Sequence, residues 1–217
     1  MWRSNTMILG VTDFLARRIA IAAMAMAAFS FAPIAAQAAQ SADQIAAHFS
    51  SVRTMMGEFV QFGPRGEQTG GKFYIERPGK IRFDYEEPSG FRVTSDGSSV
   101  VIMNKKLNTA DLYPLSKTPL KLLLDERIDL SGDKVQTVRE DNDLTTIKMS
   151  DKSVFGNSTI TMMFDTNSYD LRQWTITDAQ GKDTTVMIFN VQQGVTFDPS
   201  VFKIDYRRVD EMSRNKR

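Results

Sequence analysis

The chain has 217 residues, with 27 Lys and Arg against 26 Asp and Glu, no Cys and one His. That length bounds it to one domain or at most two. The near-neutral balance gives no electrostatic case for nucleic acid. Missing thiols and a single imidazole leave almost no basis for a metal centre, so no metal or cofactor is expected.

Arg3, Arg17 and Arg18 precede the apolar run Ile19–Phe31, and Ala36-Gln37-Ala38 follows. A basic start, an apolar stretch and small residues at alternate positions describe a secretory signal over residues 1–38, cleaved before Ala39. The run is short for a membrane span, and no stop-transfer pattern follows it. Arg17-Arg18 raises the twin-arginine route, but no Ser or Thr precedes the pair, and general secretion fits better. Without Arg3, Arg17, Arg18 and Asp13 the totals fall from 27 and 26 to 24 and 25, a net charge near −1. Residues 39–217 then form a single exported domain that relies on its own core, since it has no disulfide. It offers no mature N-terminal Cys for a lipid anchor, so a soluble exported protein is expected.

Within that domain, Ser41-Ala42-Asp43-Gln44 reads as a capping box, with Ile45, Phe49, Val52 and Met56 lining one helical face. Gly57 ends the pattern, and Glu58–Phe62 reads as the first strand. Gly71–Ile75 and Lys80–Tyr85 flank the turn Arg77-Pro78-Gly79. In the second of these strands Ile81, Phe83 and Tyr85 alternate with Lys80, Arg82 and Asp84, giving one apolar and one charged face. Arg77 is set in extended backbone by Pro78 at a strand end; it is either a functional arginine or a solvated turn residue. Further strands follow at short spacing: Phe91–Ser95, Ser99–Met103 after the Asp96-Gly97 hairpin signal, and Thr109–Tyr113. Thr118-Pro119 opens a short helix over Leu120–Leu124, apolar nearly all round, which means burial or a movable cover. Val135–Glu140, Leu144–Met149, Ser158–Asp165, Leu171–Thr177 and Thr184–Asn190 continue the strands. Phe197–Phe202 reads as a helical turn docking two Phe, and a charged tail from about residue 205 is expected to fray.

So many short strands with few helices argue a mainly β fold, a strongly curled antiparallel sheet or incomplete barrel lidded by helices over an apolar hollow. Catalytic machinery is thin. His48 reads as a surface or packing residue, and the carboxylate pairs sit in turn-like sequence, so no enzyme is expected. Phe and Met are abundant, at 14 and 12 in all. Flexible Met and flat Phe suit a surface for variable apolar ligands, or an ordinary core.

Over most of its exported length the chain resembles the outer-membrane lipoprotein carrier family (LolA). The resemblance is carried by Phe59-Val60-Gln61, Arg77-Pro78-Gly79-Lys80-Ile81-Arg82-Phe83-Asp84-Tyr85, Ser95-Asp96-Gly97, Thr118-Pro119-Leu120 and Phe197-Asp198-Pro199. It implies an incomplete barrel covered by helices, and a monomeric periplasmic carrier that takes triacylated lipoproteins from an inner-membrane lipoprotein-releasing transporter to an outer-membrane acceptor. It implies a cavity for acyl chains lined by Phe59, Phe73, Ile81, Phe83 and Phe91. Arg77 would latch the lid by bonding carbonyls near Phe49, Leu123 and Leu124, with Leu120 in the second lid helix. A module of the same fold that senses lipids or misfolded chains, and a lipid-processing enzyme, are the rival readings. Lys121, which interrupts the lid segment, and the basic tail depart from the family pattern.

Overall fold

A computed structural model describes residues 34–127, 129, 134–150, 152 and 156–214. The chain divides into Met1–Ala36 and Gln37–Arg217, and the fold is that of the second unit. The expected signal lies almost wholly outside the described residues.

Helix α1 covers Ile34–Ser51, and strands β1 (Thr54–Phe62), β2 (Gln68–Glu76), β3 (Lys80–Tyr85), β4 (Phe91–Asp96), β5 (Ser99–Asn104) and β6 (Thr109–Pro114) follow. A 3-10 turn at Leu115–Lys117 and the short helix α2 (Leu120–Leu123) lead to β7 (Val135–Asp141). Then come β8 (Leu144–Ser150), β9 (Thr159–Asp165), β10 (Leu171–Thr177), β11 (Asp183–Gln193), a 3-10 turn at Pro199–Phe202 and helix α3 (Tyr206–Arg214).

All eleven strands form one sheet in the order β6-β5-β4-β3-β2-β1-β11-β10-β9-β8-β7. Two antiparallel meanders are joined where β1 pairs with β11, so the edges are β6 and β7. Curling follows from the side chains. Phe83 on β3 and Trp174 on β10 are four strand spacings apart, about 19 Å if the sheet were flat, yet their ring centroids are 6.1 Å apart. One core cluster draws buried residues from both meanders, α1 and α2, including Ile45, Phe49, Phe59, Ile81, Leu123, Ile147 and Phe164. The fold is the incomplete barrel with helical cover that alternation predicts.

Three local expectations differ. Ser41 lies inside α1 and is not its cap, and α1 stops at Ser51. Met55 and Met56 belong to β1, paired with Ile75 and Tyr74 on β2 and with Gln193 and Gln192 on β11. Ladder bonds on both sides outweigh a helical period that continued by coincidence through Met56. The expected fraying tail is instead α3, whose Val209 and Met212 are buried with Ile204 against Val101 and Ala110. Met and Val three apart on a charged helix were the signal for this. Among the described residues no helix is long and apolar enough to cross a membrane.

Candidate functional site

The site is built around the Arg77-Pro78-Gly79 turn between β2 and β3. β3 presents Ile81 and Phe83 inwards opposite Ile75 and Phe73 of β2. The turn is seated from below by Ser95, fully buried, whose hydroxyl donates to the Gly79 carbonyl at 2.7 Å. Gly79 has φ of +82°, and a Cβ there would stand 2.7 Å from the Gly97 Cα. Only glycine meets both demands. The Ser95-Asp96-Gly97 hairpin is thus the platform on which the turn rests.

From that platform Arg77 points under α1 and is only 4 % exposed. Its Nη1 donates to the Phe49 carbonyl and, at 2.7 Å, to the Val52 carbonyl. Its guanidinium carbon lies 3.6 Å from the centre of the Phe49 ring. A helix end leaves its last carbonyls unpaired and partly negative, so a cation is well placed there. Burial pushes the Arg77 pKa down to about 10, still cationic at neutral pH. Arg77 Nε and Nη2 are buried without a hydrogen-bond partner, which leaves the side chain only partly satisfied.

The second helix is held differently from the expectation. The Leu124 carbonyl accepts from the Gly79 backbone N–H at 2.8 Å, so α2 is tied to the turn by backbone and Arg77's side chain serves α1. Val52, the second acceptor, carried no sequence signal because the bond uses only its backbone. Leu122, Leu123 and Leu124 are buried and Leu120 is partly buried against the core. Lys121 pairs with Asp125 at 2.6 Å, one helical turn on, and so sits on the outward side of α2.

The far edge of α1 has its own polar contacts. The Tyr169 hydroxyl donates to Gln44 Oε1 at 2.7 Å, and His48 Nε2 lies 3.0 Å from Asp170 Oδ1. Gln193 donates to the same Asp170 oxygen at 2.7 Å. Partial burial works to raise the Asp170 carboxyl, but the bonds from His48 and Gln193 outweigh it and hold it below its ordinary value. Tyr169 reaches α1 from a left-handed backbone, φ +60°, an uncommon conformation for an aromatic residue. Sequence reading singled out His48 but not its partners, which lie over a hundred residues away in the chain.

Under the helices lies an aromatic interior. Phe59 stacks edge-on with Phe83 at 4.8 Å and with Tyr85 at 5.0 Å, and Phe73 lies 6.4 Å from Phe83. Phe59, Phe73, Ile81 and Phe83 are buried together. Phe91 is not among them. It is 44 % exposed, at the start of β4, and its ring lies 6.3 Å from that of Tyr85. As the first residue of its strand it lies beyond the cover of either helix, so it belongs to the rim. Tyr85 donates to Gln61 Oε1 at 2.6 Å, and burial raises its pKa to about 12, so it stays neutral.

An open barrel with an aromatic interior under two tethered helices is the architecture of binding proteins for hydrophobic ligands. Among the described residues no three His, Cys, Asp or Glu side chains gather as metal ligands do. Residues 50–205 match the family described as outer membrane lipoprotein carrier protein LolA, and the chain belongs to that family. An outer-membrane lipoprotein carrier protein of Methylococcus capsulatus is 26% identical over 162 residues, 70% of this chain and 77% of its own. One from Chromobacterium violaceum is 28% identical over 191 residues, 84% of this chain and 90% of its own. A crystal structure of a LolA superfamily protein from Nitrosomonas europaea aligns with a TM-score of 0.43 at 9% identity, over 76% of this chain and 98% of that one.

Proposed function

We propose that the protein is a periplasmic carrier of lipoproteins. It shelters the acyl chains of a triacylated lipoprotein released by an inner-membrane transporter and delivers them to an outer-membrane acceptor. The single observation that carries this reading is the tether. A buried, half-satisfied arginine holds α1 over an aromatic interior by backbone carbonyls that water could equally serve. Releasing Arg77 parts it from no carboxylate, and the interior beneath the cover is the right chemistry for hydrocarbon. Burying acyl chains is worth about 0.8 kcal/mol per methylene, so three chains in water face a penalty on the order of tens of kcal/mol. Family membership and the names of the relatives support the same reading.

Export precedes the task. On this proposal residues 1–38 are removed and α1 begins near Ala39. Ala42, Ile45 and Phe49, which are buried on α1, lie beyond that point. The test is mass spectrometry of protein purified from the periplasm. Triacylated proteins should co-elute with it, and its N-terminus should be Ala39 or within a residue or two. A protein that elutes bare, both as the parent and with Arg77 replaced, overturns the carrier reading.

A further inference from the structure

A carrier that buries acyl chains must still let the cargo's polypeptide out. The acyl chains and the chain that bears them part at one residue, so the exit has to adjoin the rim. One groove has the construction for it. It has a volume of about 690 Å³ and lies at the end of β2 and β3 remote from Arg77. Its floor is bare backbone at Gly70 and Gly71. A Cβ on Gly71 would come within 2.0 Å of the Asp84 carbonyl oxygen, and one on Gly70 within 3.0 Å of that of Phe59. No side chain can fill the floor without forcing strands apart, so the groove is built into the sheet and is not a chance gap between loops.

Its banks are two exposed aromatics, Phe91 at 44 % and Phe189 at 42 %. From Phe91 the rings of Tyr85, Phe59 and Phe83 follow one another inwards at 6.3, 5.0 and 4.8 Å. The groove is therefore continuous with the interior proposed for the acyl chains. Every ionisable residue lining it is a carboxylate: Glu58, Glu86 and Glu87. Glu58 accepts from the Asn190 amide at 2.7 Å and faces Lys72 across the β1–β2 ladder. Glu87 is paired with Lys106 at 2.6 Å. Glu86 has no ion pair among the described residues. The lining remains acidic after these partners are counted.

We propose that this groove receives the first residues of cargo polypeptide after the acylated one, and that it favours basic over acidic sequence there. The proposal rests on the carrier reading. Extended peptide fits a trough with a glycine floor, because its backbone can approach closely where side chains are absent. Exposed rings accept the stems of Lys and Arg along their faces, while the carboxylates take the charged ends. Solvent-exposed pairs are individually weak and screened beyond about 10 Å at 0.1 M salt. The preference is a bias set by a few charges, and high salt removes it.

The experiment uses three synthetic triacylated lipopeptides with the same acyl chains and tails of four Lys, four Ser or four Glu. Binding to the whole exported protein should run Lys above Ser above Glu, with about a three- to tenfold span at low salt and none at 1 M. Glu86→Lys combined with Glu87→Lys should invert the order. A photoreactive residue placed second after the acylated cysteine should cross-link to the 86–91 segment or to Phe189. Binding of all three alike, or cross-links mapping elsewhere, overturns the groove and leaves the carrier reading intact. Failure of even the Ser lipopeptide to bind overturns the carrier reading, and the groove with it.

Discussion

Replacing Arg77 with Leu separates what holds the fold from what holds the lid. The arginine makes two charge-assisted bonds to α1 carbonyls and a cation–π contact with Phe49. Bonds of this kind contribute about 1.5–3 kcal/mol each, net of solvent competition. Against them stand the burial of an ion and two guanidinium nitrogens with no partner, costs of similar size. Net stability should therefore change little, with the melting temperature within about 3 °C of the parent. Local opening is another matter. When α1 lifts, both carbonyls regain water but Arg77, anchored in the β2–β3 turn, recovers only part of its hydration, so the bonds oppose opening by about 1–3 kcal/mol. Hydrogen exchange over residues 42–52 should accelerate by about five- to 150-fold, while β2 and β10 keep their protection. On the carrier reading the variant accumulates loaded with lipoprotein and releases it slowly. Lys at 77 should restore part of the protection, lacking the planar fork. A loss of melting temperature of about 6 °C or more with uniformly lowered protection would make Arg77 an ordinary core member. Unchanged exchange would reduce it to a turn residue.

Phe73→Ala should cost about 3–5 kcal/mol in denaturant unfolding, because its ring is wholly buried, whereas Phe91→Ala should cost less than about 1 kcal/mol. Gly71→Ala should fail to fold or lose more than about 3 kcal/mol, since the added methyl meets Asp84 backbone. His48→Ala and Asp170→Asn should each loosen α1, and a double-mutant cycle read by exchange over residues 42–52 should show them coupled by about 0.5 kcal/mol or more. The Ser168 backbone N–H and the Arg172 guanidinium hold Asp165 at about 2. Asp84 also stays below its ordinary value, partial burial being outweighed by Arg82 and Arg92. Such groups stabilise above the unfolded carboxylate value of about 4 and lose that contribution as the folded groups protonate, so melting temperature should drop between about pH 4 and 2 and not above about 5.

The clearest strands were legible because they carry a period of two between turn residues, and burial on one face only makes that period visible in composition. β9 alternates without a break, Ile160, Met162 and Phe164 being buried in turn. The pairing of β1 with β11 was not legible. It joins the two halves of the chain through residues separated by more than a hundred positions, and neither strand announces its partner. The sheet bulge between Met56 and Glu58 hid the start of β1 for the same reason. At the site, Arg77 stood out because Pro78 and Gly79 follow it. What it would touch was not readable, since both acceptors are main-chain oxygens common to every residue. Ser95 and Gly79 were visible only as members of a motif; their seating contact is a matter of close packing between two turns.

On the carrier reading the polar tether matters because apolar contacts alone give the lid little means of discriminating its two states. Phe49, Leu123 and Ile45 are already out of water when the helices are down. An acyl chain that slides beneath them replaces one hydrocarbon neighbour by another, an exchange with little net change in buried apolar area. The difference between empty and loaded forms then falls on the groups that cannot be exchanged in kind, namely the carbonyls of Phe49 and Val52 and the guanidinium that serves them. On the carrier reading this is why an arginine with two unpartnered nitrogens persists at the centre of a hydrophobic fold. A fully satisfied one would hold the cover too firmly to admit cargo, and an apolar one would supply no bias towards closing and letting cargo go.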